Sequence, residues 1–436
     1  MKDTKLFFKY VIPSVLSFAL SGVYAIVDGF FVGNMIGDAG LSAINIAYPI
    51  VAFIQAVGTG IGMGGAVRYS INKAGGDGER AERFVACAWW LLVLASVLLT
   101  GVVYLFAEPL LRSLGAQHTI LSFATEYVRV IAIGAGLQIL GTGLVPFIRN
   151  FGGSFWAMLA MLGGFFANVI LDYLFVWVYN RGMTGAAVAT VIGQGMTMLI
   201  AIGYSVAKKY FQARISLREI AEYGKPILKI GLAPFGLALT PNLSLVIINR
   251  FSAMYGGDEA IATYACISYI ICIIYLVLQG VGDGSQPLMS RYYGEKNTAG
   301  LRQIHKLAYG FAVFLAFVGC IVMLAIRNHV GVLFGSSAEV NRNIAAIIPI
   351  FLVSVPFVAL IRIATASFYA TEQSLLSYIL TCIEPILMLV LMLILPPLFG
   401  GQIMIWWSTV FARILSAALA FFLTIRHGGQ RASSAA

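Results

Sequence analysis

The sequence predicts an all-α polytopic membrane protein: twelve transmembrane helices in two pseudo-twofold-related six-helix lobes around a central cleft. Three observations predict it. Sixty per cent of the 436 residues are hydrophobic and 11% are charged, less than half the charge of an ordinary soluble domain. Apolar runs of spanning length, about 20 residues, recur along the whole chain. Features of the first half return in order in the second, at a period of about 220 residues.

Taken in order, the spans are expected at 8–33, 42–68, 84–107, 121–146, 154–178 and 185–207, then at 227–252, 260–288, 303–326, 343–370, 374–397 and 402–426. No charged-apolar-small pattern ending in a cleavage site precedes the first run, so the N-terminus reads as an uncleaved helix. Residues 1–207 form the N-terminal lobe, 208–226 a cytoplasmic linker and 227–436 the C-terminal lobe. The linker contains ISLREIAEYGKPI, a candidate surface amphipathic helix. With both termini inside, twenty Lys and Arg fall on the inner segments and five (Arg112, Arg181, Arg250, Arg327, Arg342) on the outer ones. The positive-inside rule then sets both termini in the cytoplasm.

The repeat is weak in identity but ordered. Pro13 to Asp38 lines up with Pro234 to Asp258, and Val67-Arg68-Tyr69 with Ser290-Arg291-Tyr292. Glycines at 58, 60, 62, 64 and 65 answer those at 280, 282 and 284. Six is even, so the halves share an orientation and their axis runs along the membrane normal, a transporter arrangement. The run from Gly58 to Gly65 has no strand before it and no Lys-Ser/Thr after it, so it reads as close helix packing or a hinge.

Other classes find no support in the residues. The net charge of +10 sits between spans, where it sets topology, so no nucleic-acid partner is expected. The five cysteines lie in apolar runs without ligand spacing and the four histidines lie in or beside loops, so no metal site is expected. The partners left are the lipid bilayer and small organic molecules.

The stretch from Phe147 to Gln194 carries most of the chemistry. It opens with a basic, Gly-rich hinge (Arg149, Asn150, Gly152, Gly153), and its first apolar run holds Asn168 and Asp172. Four apart, these two share a helical face. A carboxylate at bilayer depth costs about 2.5–3.5 kcal/mol on insertion scales, so it normally faces a bundle interior or a wet cavity. Asp28 of the first span comes to similar depth, with Tyr24 one turn before it, and Thr190 in GAAVATVIG could face them. The group reads as a proton or sodium site. The open alternative for Asp28 is a helix cap or a wet vestibule. Asp28 falls opposite Asn249 in the repeat and Asp172 finds no carboxylate opposite, so the acid pair belongs to the N-terminal lobe alone. Glu384 is a candidate C-lobe substrate or ion contact, or else pairs with Arg362 or Arg413. Glu126 and Arg129 are placed to pair with each other, and Asp283, Arg68 and Arg291 to make cytoplasmic closure contacts.

Four stretches carry a family resemblance: VYAIVDGFFVGNMIG in the first span, RNFGG before the fifth, ANVILDYLF within it and GMTGAAVATVIGQ in the sixth. They resemble those of the multidrug and toxic compound extrusion (MATE) transporters. The likeness spans the chain, is most specific in its first half, and is closest to bacterial branches with an N-lobe acid pair. It implies a non-enzymatic antiporter that exports varied cationic or amphipathic compounds against inward proton or sodium flow, by alternating access. It also implies a monomer in the cell inner membrane with no cofactor beyond the coupling ion. The family's first-span acid and aromatic map onto Asp28 and Tyr24, its fifth-span pair onto Asn168 and Asp172, its sixth-span Thr onto Thr190, and its bending proline onto Pro13. Other branches carry an acid in the seventh span, where this chain has Asn249. The alternative is a flippase of a lipid-linked precursor, which would favour an Arg-rich cleft. An intramembrane enzyme or receptor would want a nucleophile-base pair, a metal cluster or a sensory domain.

Overall fold

The structure is a computed structural model that describes residues 2–210, 215–330 and 338–433. Apolar runs in lipid must satisfy their own backbone, so they become helices. These are α1 (Lys2–Ile36), α2 (Asp38–Ala74), α3 (Gly78–Ser113), α4 (His118–Ile133), α5 (Ala135–Asn150), α6 (Ser154–Asp172) and α7 (Gly182–Ala207) in the first half. The second half holds α8 (Leu217–Tyr255), α9 (Gly257–Gly294), α10 (Thr298–Ile326), α11 (Ala338–Ala370), α12 (Ser374–Phe399) and α13 (Gly401–Ser433). Among the described residues eleven helices are long and apolar enough to cross a membrane, or twelve spans when the bent pair α4 and α5 is taken as one.

Local departures from the expected spans have local causes. The fourth span bends by 59° between α4 and α5. The break is at Gly134, where a Cβ would stand 2.3 Å from Val191 of α7, so only glycine lets that side chain press in. Glu126 does not pair with Arg129. Its carboxylate instead accepts from the Thr184 backbone N–H at 3.2 Å and from the Thr184 hydroxyl, tying α4 to the start of α7.

The repeat is structural, at a period of 220. α2 ends at Ala74 and α9 at Gly294. The next helices are capped by Asp77, which accepts from the Arg80 N–H, and by Asn297, which accepts from the Gly300 N–H. This register corrects the expected match of Val67-Arg68-Tyr69 with residues 290–292 by three positions, pairs Ser70 with Ser290, and sets position 28 opposite Ile248 rather than Asn249. The glycines follow the same register. Gly62 meets the Gly143 backbone of α5, and Gly282 meets Arg362 and Ala366 of α11, within their own lobes. Gly60 and Gly64 meet Gly231 and Ile227 of α8, while Gly280 and Gly284 meet Val15 and Val11 of α1, across the lobes.

Each lobe has its own core, and α1 and α8 pass from one to the other. Phe7 and Val11 lie in the core of the second lobe, whereas Val32 lies in that of the first. Ile227 lies in the first-lobe core and Ile230 in the second. Residues 217–227 are therefore the leading turns of α8, docked on α3. A reciprocal Ser216–Glu219 capping box starts the helix. Arg83 pairs with Glu219 at 3.1 Å, and Tyr223 meets Phe84 edge to face at 4.9 Å.

The lobes close on each other toward the end of the molecule that holds the described chain ends. Arg149, 3% exposed, reaches Asp283 of α9 at 3.6 Å and lies over the Phe18 ring. Tyr369 donates to Asp283 at 3.0 Å, as does the Gln279 amide at 2.7 Å. Arg68 pairs with Glu372, Ser70 donates to Asn150 at 2.6 Å, and Asn150 donates to Gln286 at 2.9 Å. Asp283 and Arg68 thus both make contacts across the lobe boundary. Arg291 instead pairs with Glu295 on its own helix.

Candidate functional site

The N-lobe site is built where α6 packs on α7. Two glycines allow the approach: a Cβ on Gly164 would stand 2.1 Å from the Thr197 hydroxyl, and one on Gly193 would stand 2.9 Å from the Asn168 Cβ. At that distance Asn168 and Thr190 meet, amide nitrogen to hydroxyl at 3.5 Å. Asn168 is 2% exposed, Asp172 1% and Thr190 6%. The Asn168 side-chain carbonyl has no hydrogen-bond partner among the described residues, and both Asp172 carboxylate oxygens are shielded from solvent. Asn168 and Asp172 occupy one buried stripe of α6 with Ala157, Ala160 and Gly164, so the polar pair extends a small-residue packing face.

The chain changes pitch at Asp172. α6 ends there, and Tyr173–Val178 continues as a π-helix. Such widened turns are rare and frequent at functional sites. Span length and hydropathy carry no signal for it. The wide turn directs Tyr173 and Trp177 at Phe31 of α1, with ring centroids 6.5 and 6.3 Å apart. Residue 28 lies one turn before Phe31 on α1. The side chains of Tyr24 and Asp28 lie outside the described residues.

Pro13 sits inside α1 without a break in the helix, its carbonyl accepting from the Ser17 hydroxyl at 2.7 Å. Glu384 takes the ion-pair alternative. It accepts from Arg413 of α13 at 3.0 Å, and Arg413 also donates to Ser354 at 3.1 Å and lies over the Tyr275 ring at 4.9 Å. Asp283 with Arg149 was legible only as two separate residues, because nothing local links positions 134 apart in sequence. No group of three or more His, Cys, Asp or Glu among the described residues could hold a metal ion.

Comparison with known proteins agrees with this architecture. The family model described as MatE matches residues 13–174 and 235–394, one block in each lobe. The chain is 24% identical over 440 residues to the Multidrug export protein MepA of Staphylococcus saprophyticus, covering 97% of this chain and 96% of that one. It is 25% identical over 438 residues to the protein of the same name from Staphylococcus aureus strain MRSA252, with the same coverage. Among solved structures, the outward-facing conformation of a multidrug resistance MATE family transporter superposes with a TM-score of 0.91 at 23% identity, covering 99% of this chain and 96% of that one. A MATE in the bent conformation superposes with a TM-score of 0.89 at 22% identity, covering 100% and 98%. These likenesses establish the fold of twelve spans in two lobes.

Proposed function

Because the chain belongs to the MatE family, and is on that ground a multi-pass membrane transporter, we propose that it is a proton- or sodium-coupled antiporter that exports varied cationic or amphipathic organic compounds. The observation that carries the reading is the buried Asn168–Asp172–Thr190 group beside a π-helical turn. A buried carboxylate binds a proton or a sodium ion far more readily than a surface one, because either neutralises a charge that the bilayer penalises. Multidrug export is the function named for the relatives, and it supplies the substrate class of this proposal.

In this mechanism Asp172 and Asp28 take up the coupling ion from outside, with Asn168, Tyr24 and Thr190 as neutral neighbours. Occupation removes the charge that a cationic substrate would otherwise pair with, so ion entry and substrate release are linked. The Arg149–Asp283 and Arg68–Glu372 contacts hold the cytoplasmic end shut in one half of an alternating-access cycle. Pro13 is the point at which α1 can bend during the other half. Glu384, committed to Arg413, holds the C-lobe together.

The test is ethidium efflux from proteoliposomes, comparing wild type with Asp172→Asn and Asp28→Asn under separate proton and sodium gradients. Loss of gradient-driven efflux in both variants, with intact folding, is expected, and the gradient that drives the wild type names the ion. Full activity in both variants would sink the site assignment.

A further inference from the structure

A recess of about 650 Å³ opens between the lobes along the leading turns of α8. Its walls are Leu91 of α3 from the first lobe and Tyr378 of α12 from the second, and its floor is Gly224, Leu228 and Leu232 of α8. Lys225 and Lys229, one turn apart and both exposed, stand at its rim. Neither forms an ion pair with a described residue, and Glu222, one turn back, makes none with them. The Tyr378 hydroxyl donates to the Lys229 carbonyl, which fixes the second wall against the floor.

The repeat makes this recess informative, because the equivalent place on the other side of the molecule carries aromatic rings that pack on one another. At the period of 220, Lys225 and Lys229 correspond to Lys5 and Lys9, Leu228 to Phe8, and Leu91 to Phe311. There Phe8 and Phe311 meet edge to face at 5.2 Å, with Phe7 and Phe314 packed on Phe311 at 6.2 and 6.3 Å. Both positions carry the lysine pair, and where one packs Phe8 on Phe311 the other has Leu228 and Leu91 lining a hollow.

We propose that this hollow is a binding site for one anionic phospholipid, its acyl chain lying along Leu91, Leu228 and Leu232 and its phosphate held by Lys225 and Lys229. A basic rim over an apolar groove between transmembrane helices is the complement of such a headgroup and tail. A zwitterionic lipid offers the same phosphate but brings its own cation beside it, so the net positive charge of the rim stays uncompensated. The bound lipid touches both lobes, so it belongs to the closed arrangement seen here and is squeezed or released when the lobes part.

Native mass spectrometry of the detergent-solubilised full chain, offered phosphatidylglycerol or phosphatidylcholine of matched acyl length, tests this. The wild type is expected to keep one phosphatidylglycerol in preference to phosphatidylcholine. The pair Lys225→Gln and Lys229→Gln should weaken that adduct about tenfold or more, the effect of two membrane-apposed lysines. The pair Leu91→Phe and Leu228→Phe, copying the aromatic side, should remove it with the charges intact. Lys5→Gln with Lys9→Gln should leave it unchanged. An adduct that survives both groove variants, or one that Lys5→Gln and Lys9→Gln weaken equally, overturns the site. If the phenylalanine variant melts early, the lysine pair decides alone.

Discussion

Asp172 and Asn168 share one face of α6, and substitution of each removes something different. Asp172→Asn keeps the shape and removes the titratable charge, so gradient-driven efflux should fall to the leak rate while binding of a fluorescent cation in detergent weakens but persists. Thr190→Val removes the hydroxyl that Asn168 meets at 3.5 Å, near the limit for a hydrogen bond. Such a neutral bond is worth about 0.5–1.5 kcal/mol. The half-activating concentration of the coupling ion should therefore rise two- to tenfold, as those energies imply, and Thr190→Ser should restore it. An unchanged value in Thr190→Val would show that the hydroxyl serves packing only.

At the scale of helices, glycines set how closely elements approach. Gly62 lies against Gly143, where a Cβ would come within 2.1 Å of a carbonyl oxygen, and backbone cannot step aside as a flexible side chain can. Gly62→Ala should destabilise the α2–α5 pair by about 1–3 kcal/mol, the usual penalty of overpacking. Gly101→Ala, with open space around it on α3, should leave the melting temperature in detergent unchanged or raise it. Two equal melting temperatures would refute the packing account. The number of spans, the repeat and the small-residue character of 58–65 were legible because hydropathy and glycine spacing are local in sequence. The bend at Gly134 and the π-helix after Asp172 were not: the bend goes with Val191 pressing on Gly134 from another helix, and hydropathy carries no signal for a wider turn. The apparent repeat of Arg68-Tyr69 at Arg291-Tyr292 misled by three residues, since similar dipeptides at a helix end outweigh register in a weak alignment. The start of α8 was hidden by its polarity: Arg218, Glu219 and Glu222 read as a linker until Arg83 and Phe84 are seen beside them. Asn168 with Asp172 stood out on sequence alone, because polar residues four apart in an apolar run have few bland explanations.

For the whole molecule, the contact of greatest consequence is Arg149 with Asp283, both buried across the lobe boundary. Removing one partner of a buried pair costs about 3–5 kcal/mol, since the other is left uncompensated. Asp283→Ala should therefore destabilise the closed end relative to its open alternative. In a cysteine-free background, a Ser70→Cys reporter in the adjoining network should label with an impermeant maleimide at least tenfold faster. Equal labelling with and without Asp283 would mean that the pair does not hold the lobes. Energetics bear on coupling at the same scale. A proton entering down 100 mV releases about 2.3 kcal/mol, and expelling a monovalent cation for one proton consumes that electrical term. Two titrating acids would admit a second proton and restore it. Exchange should then carry current, and silence in voltage-clamped proteoliposomes would count against a two-proton cycle.

The crossing of α1 and α8 between cores bears on how such a chain is made. Phe7 and Val11 are buried by residues synthesised some three hundred positions later, and the first lobe waits for Ile227 before its own interior is complete. A nascent chain paused at residue 207 would hold an unfinished half with an orphaned leading helix. Separately expressed fragments 1–207 and 208–436 should accordingly be protease-sensitive alone and become resistant when produced together in one membrane, because each supplies the segment that seals the other.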